Sequence, residues 1–539
     1  MTTGALIIAL LAMQQPASAG SVPVYEDLGN HHYAITAATP AVQAYFDQGL
    51  RLYYAFNHAE AIRSFRAAQS LDPGCAMCFW GEALALGPNI NMPMDEEAAA
   101  SARVAIQRAQ AVAARVSERE QALIAALAVR YTPGQERAAL DSAYAKALAT
   151  VVERYPADPE AAVLHAESLM LLRPWNYWTK SGEPQSGTAE LIATLERVLD
   201  NMPNHPGACH FYIHAVEEVH PEWAVPCAER LASLMPGAGH LVHMPAHIYI
   251  RVGRYLDAIR ANEHAVHADE SYIRDQRPDV GIYTAGYYPH NYDFLAFAAM
   301  MAGRDEQAIQ AADQVAAVVP AELIGAPGME FLEHYITRSL QIRVRFARWE
   351  EILARPAPAA QYVHARGIRD YAQGRALLAG GDFAAARAAL QRVRAAADAV
   401  AEKDIQLDFN PATDVMRIAA HVLAGRIASA EGRHELAAEE LRAAVAIEDE
   451  MVYGEPPEWS VPVRQDLGAV LLAAGDGPGA EQAFREELKR FPDNVWSLAG
   501  LEQALHMQQL TEAAQEVAAR LHAALGAAGV QAEAVGWIH

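Results

Sequence analysis

The chain is poor in cysteine, in aromatic residues and in positive charge. Four cysteines in 539 residues cannot build a disulfide-framed fold. Aromatics supply 8% of the residues, and alanine carries much of the apolar share, which favours short, closely packed helices over β-structure. Lys and Arg number 42 against 66 Asp and Glu, a net charge of −24. No Lys/Arg cluster offsets that sign, so nucleic acid is excluded as an expected partner. The sequence also lacks the G-x-x-x-x-G-K-[ST], G-x-S-x-G and H-E-x-x-H motifs, and no G-x-G-x-x-G follows a strand pattern. A nucleotide enzyme and a serine hydrolase are therefore unsupported. Beyond the N-terminus no uncharged apolar run reaches the roughly 18 residues that a membrane span requires.

The N-terminus reads differently. Gly4 to Met13 is a short apolar run, and Ala17-Ser18-Ala19 before Gly20 has the A-x-A form of a cleavage site, although Met1-Thr2-Thr3 carries no Lys or Arg. The expectation is a signal peptide at 1–19 and a periplasmic or secreted protein. Cys75-x-x-Cys78 has no following His, which excludes a c-type haem site. Oxidation of Cys75/Cys78 or of Cys209/Cys227 and plain burial of small residues both remain open.

What the sequence does hold is a repeat. Gly49, Ala61, Phe65, Ala68 and Pro73 place small residues, an aromatic and a helix-stopping proline at fixed offsets, and Gly468, Ala480, Phe484 and Pro492 repeat the intervals. Partial copies lie between, at Gly253 with Ala258, Gly303 with Ala308, Gly374 with Ala386 and Gly425 with Ala437. Small residues let two antiparallel helices cross closely, and Gly and Pro punctuate each pair. A single hairpin cannot bury its apolar face, so neighbours must stack.

This pattern resembles the tetratricopeptide-repeat superfamily over most of residues 41–525. The resemblance implies an all-α, right-handed α-solenoid of antiparallel helix pairs whose first helices line a concave groove. The chain then divides into a signal peptide at 1–19, an N-terminal extension at 20–40, and N-terminal repeats with a histidine-rich groove at 41–268. An aromatic insertion at 269–290, central repeats at 291–450, and C-terminal repeats with capping helices at 451–539 complete it. Three segments break the register: Leu172 to Thr188, Asp269 to His290 and Met451 to Pro462. Such aromatic insertions act as lids over a groove or cap exposed hairpin ends.

The histidines are not scattered. His210 and His214 are four apart, as are His243 and His247, and each member of the second pair follows its counterpart by 33 positions, the separation of Pro203 and Pro236. Residues four apart share a helix face, so two imidazoles can converge on one ion. The matching register puts both pairs at equivalent repeat positions, which in tetratricopeptide proteins point into the groove. Pro245 forces the second helix to start near Leu241. The segments PNHPGACHFYIHAVE and HLVHMPAHIYIRVGRY also resemble those of a group of exported bacterial tetratricopeptide proteins, from which no activity carries over.

Neutral imidazoles suit copper, iron or zinc, and the expected ligands are His210, His214, His243, His247 and His290. Glu217 and Asp293 are the candidate catalytic carboxylates. Asp293 alternatively ligates metal or orients a ligand histidine. Trp175, Trp178, Tyr287 and Tyr288 are expected to shape a substrate pocket. Arg251 either binds a substrate carboxylate there or pairs with Glu217. His165, Glu167, Glu333 and His334 are weaker candidates, and His31, His32 and His58 read as solvated or capping. Two functions follow. One is a metal-dependent oxidative or hydrolytic enzyme acting on a small molecule or peptide in the groove. The other is a non-catalytic periplasmic scaffold for peptides or a protein partner, its histidines serving as polar contacts or a structural seam.

Overall fold

The computed structural model describes residues 22–326 and 329–531, so the expected signal peptide lies outside the described residues. Those residues form helices joined by turns, with three isolated β-bridges and no strand ladder among them. No helix among them is long and apolar enough to cross a membrane. The fold is an all-α, tetratricopeptide-like solenoid.

The repeat works as its spacing requires. Phe65, on the helix His58–Leu71, lies between Gly49 of the helix Pro40–Tyr54 and Gly81 of the helix Ala76–Ala85. A Cβ at Gly49 would stand 2.6 Å from the Phe65 ring, and one at Gly81 only 2.4 Å. Far along the chain Phe484 is held the same way, with a Cβ at Gly468 or Gly500 meeting its ring at 2.4 Å or 2.2 Å. Each glycine thus exists for the ring of a neighbouring helix, and the aromatic knob staples three successive helices. Side-chain caps fix where helices begin: Asp158 accepts from the backbone N–H of Glu160 at 3.0 Å, and Ser117 and Glu120 form a reciprocal capping box.

The chain is organised as two compact units. Unit one takes in the described residues up to Ile248 together with His264–Tyr283, and unit two takes in Tyr249–Glu263 and the described residues from Thr284 onward. In unit one Cys75 and Cys78 are joined by a disulfide, while Cys209 and Cys227 are free thiols in the interior.

Three local expectations change. The insertion at Asp269 to His290 is largely helical: the helix Tyr255–Gln276 runs through its first part, and a short π-helical turn leads into the helix Tyr288–Met301. The histidine segment after Pro236 is not one helix begun near Leu241 but two, Gly239–His243 and Pro245–Arg251, because the proline ring cannot enter a continuous helix. His31 and His58 are not solvated; both rings are covered in unit one, His58 stacked on Tyr53 at 4.9 Å.

Candidate metal centre

The site is built in unit one from the helix Pro206–Val216 and the two short helices around Pro245. His205 caps the first of these, its Nδ1 accepting from the Ala208 N–H at 3.1 Å. Gly207 follows because Tyr54 packs there, 2.5 Å from where a Cβ would be. That close approach brings the Tyr54 carbonyl to His210 Nδ1 at 2.7 Å. A carbonyl only accepts, so Nδ1 carries the proton and the His210 Nε2 lone pair faces inward.

The same logic fixes one more ring. Glu217 sets one carboxylate oxygen 3.2 Å from His214 Nδ1 and the other 2.8 Å from His247 Nδ1. His214 Nδ1 is hydrogen-bonded to Glu217 and must donate, so its Nε2 presents a lone pair. The Nε2 of His214 is buried and has no hydrogen-bond partner. His210 Nε2 lies 3.1 Å from His240 Nε2, and His243 Nε2 lies 2.9 Å from His247 Nε2. Two nitrogens bound to one ion at about 2.0–2.1 Å stand roughly 2.9–3.4 Å apart for angles near 90–110°. Both pairs fall in that range. One ring nitrogen from each of His210, His214 and His240 lies within 4.8 Å of the others.

The rings are no more than 3% exposed. Burial pushes His210, His214 and His240 well below the usual imidazole pKa, and neighbouring imidazoles push the same way. They are thus neutral at pH 7, the form that ligates metal. Phe56 forms an apolar wall, 4.5 Å from the His210 ring and 5.3 Å from that of His240. Trp175, half-buried in the loop after Leu171, sets its edge against His214 at 5.0 Å.

Within unit one the structure brings together His210, His214, His243 and His247 of the expected ligands, and adds His240, which sequence reasoning missed. The register argument joined equivalent positions 33 apart, whereas His210 meets His240, 30 positions on. Its spacing of three before His243 was the available signal. Glu217, expected as a catalytic carboxylate, lies beside two of these rings. One of its oxygens is hydrogen-bonded to His214 Nδ1 and the other lies 2.8 Å from His247 Nδ1, an arrangement suited to orienting the rings. Trp178 is tied down, its indole N–H donating to the Ala215 carbonyl at 2.8 Å.

The remaining expected residues lie in unit two. The carboxylate of Asp293 is clasped by Arg338, which approaches it at 2.7 Å through Nη2. Arg251 stands 3.7 Å from Glu455 and over the Tyr453 ring at 5.5 Å. His290 packs edge-on against Phe294 at 4.9 Å, Tyr287 is buried, and Tyr288 lies against Tyr292 at 5.6 Å. There Glu333 accepts from the backbone N–H groups of His364 and Ala365, and His334 lies 3.0 Å from Arg338.

A second cluster in unit one reads differently. Glu160 sits 2.8 Å from His31 Nε2 and 3.2 Å from His205 Nε2, and accepts from the Tyr54 hydroxyl. Burial would push this carboxyl up, but His205 and His31 hold it well below the usual range. Since His205 Nδ1 accepts the helix cap, its Nε2 must carry the proton and has no lone pair for an ion. This cluster ties the N-terminal extension to the repeats.

No protein-family model matches the chain, and no curated protein matches it. Solved structures do. A human IFIT1 dimer with m7Gppp-AAAA is 12% identical, over 92% of this chain and 91% of that one, with a TM-score of 0.34. Yeast Tom70 is 11% identical, over 88% and 90%, with a TM-score of 0.31. The likeness is one of helical repeats alone. It says nothing of what this chain binds.

Proposed function

We propose that unit one carries a histidine-ligated transition-metal centre and that the protein is a metal-dependent enzyme. His210, His214 and His240 hold the ion through Nε2, and Glu217 acts as a positioning residue on His214. One observation supports this most: partners that can only accept fix Nδ1 as the proton-bearing atom in His210 and His214, leaving two buried Nε2 lone pairs. An arrangement made for structure alone would give the His214 Nε2 a donor, because leaving it bare costs about 1–3 kcal/mol. Copper, iron or zinc fits this donor set. A bound ion would supply Lewis-acid or redox chemistry at a position left for water, a small molecule or a peptide. Trp175, on its loop, is the substrate-side residue closest to His214.

The Cys75–Cys78 disulfide accords with an exported protein, since disulfides persist in oxidising compartments. A scaffold reading has its own support in unit one: a cavity of about 560 Å³ lined by Tyr25, Asn57, His267, Tyr272 and Tyr283. That is room for a bound side chain or small ligand.

Elemental mass spectrometry on untagged mature protein separates the two readings, alongside His210→Ala/His214→Ala. The enzyme reading expects near-stoichiometric copper, iron or zinc in the parent and its loss in the variant. A parent that is empty and takes up none of these ions on reconstitution rejects it and leaves the scaffold.

A further inference from the structure

Five imidazoles are more than one ion needs. His210, His214 and His240 form one group whose ring nitrogens all lie within 4.8 Å of one another, and His243 and His247 are not members of that group. Those two approach each other across the break at Pro245, their Nε2 atoms 2.9 Å apart. The two sets are adjacent, with ring centroids 5.3 Å apart between His214 and His247 and 6.0 Å between His240 and His243.

We propose that His243 and His247 hold a second transition-metal ion beside the three-imidazole site, so that the centre is dinuclear. The inference rests on the metal-centre reading above and deepens it. Three features carry it. The separation of the two Nε2 atoms is that of neighbouring ligands on one ion at about 2.0–2.1 Å. His247 sets its Nδ1 edge 2.8 Å from Glu217, which turns its Nε2 toward His243 and the space between the two rings. Most tellingly, the one carboxylate of Glu217 serves both sets, with Oε1 on His214 and Oε2 on His247. A single orienting group shared between two ligand sets locks the rings of both ions in one register. The interruption at Pro245 is what makes the pair: it turns the chain between His243 and His247 while keeping both rings inward. An oxygen ligand shared with the first ion, from solvent or substrate, would complete the second shell, as in other two-metal sites.

The test is stoichiometry and magnetic coupling on the full chain, reconstituted with copper(II) chloride and, separately, zinc chloride, then desalted. The expected result is two ions per chain in the parent and one in His243→Gln/His247→Gln. In the copper form, the parent's electron paramagnetic resonance signal should integrate to well below its copper content, because adjacent ions couple. In the variant, signal and content should agree. One ion in the parent, lost in His210→Ala/His214→Ala but kept in His243→Gln/His247→Gln, would overturn the second site and leave the first standing. One ion lost in both variants would mean a single shared site and would equally overturn it. No ion in the parent rejects both readings, and this arm depends on no variant folding.

Discussion

At the scale of single residues, Glu217 is where sequence and structure part most usefully. Its place three residues after His214 was visible, but its role was not, because that depends on His247 arriving from another helix. In Glu217→Gln an amide with a weaker acceptor replaces the carboxylate that holds His214 Nδ1. Metal affinity should fall about 10–100-fold, read by competition with a chromophoric chelator, with little change in the helical circular dichroism. His240 escaped the sequence for a related reason: the repeat period pairs equivalent positions, while the break at Pro245 shifts the contact by three residues. Glu167 yields a prediction about pH. Burial lifts its carboxyl to about 7, against the Tyr53 hydroxyl and Arg130, from an ordinary value of 4.5. A carboxyl raised in the folded state contributes full stability below the unfolded pKa and loses it as pH rises through the folded one. Between pH 4.5 and 8, Glu167→Gln should therefore gain on the parent by up to roughly 3 kcal/mol. Urea titrations at several pH values measure this, and a flat difference would contradict it.

Among the elements, the helix hairpins were the most legible part of the molecule. Gly49, Phe65, Gly468 and Phe484 announce the crossings because helix spacing and small-residue contacts are local and periodic. The N-terminal extension was not legible. Its anchors, such as His31 on Glu160 and the Tyr33 hydroxyl on Asp158 at 2.8 Å, span over a hundred residues with no period to reveal them. The crossing argument has a direct check. Gly81→Ala puts a methyl 2.4 Å from the Phe65 ring, which should cost about 1–3 kcal/mol by thermal melting. Phe65→Leu in the same chain should recover part of the loss. The loop after Leu171 holds Trp175 against His214, so Trp175→Ala should quicken metal transfer to EDTA without changing the number of ions bound. An unchanged rate would remove Trp175 from the access route.

For the molecule as a whole, the fold says little about function, and the proposed function rests on a handful of side chains in one of two units. The proposed ligands all lie in unit one, so loading should stabilise that unit by mass action. The gain is about 2.7 kcal/mol when free ion stands at a hundred times its dissociation constant. Hydrogen exchange on loaded and stripped protein should show added protection across the helix Pro206–Val216 and the segment around Pro245, and none in the helix Val463–Ala473 of unit two. The most direct test of the central claim is an anomalous difference map from crystals loaded with copper or zinc, collected at the absorption edge of that metal. The account requires a peak among the Nε2 atoms of His210, His214 and His240, with Glu217 still on Nδ1 of His214. A map with no peak among these histidines, or with the ion on Glu217 itself, would contradict it.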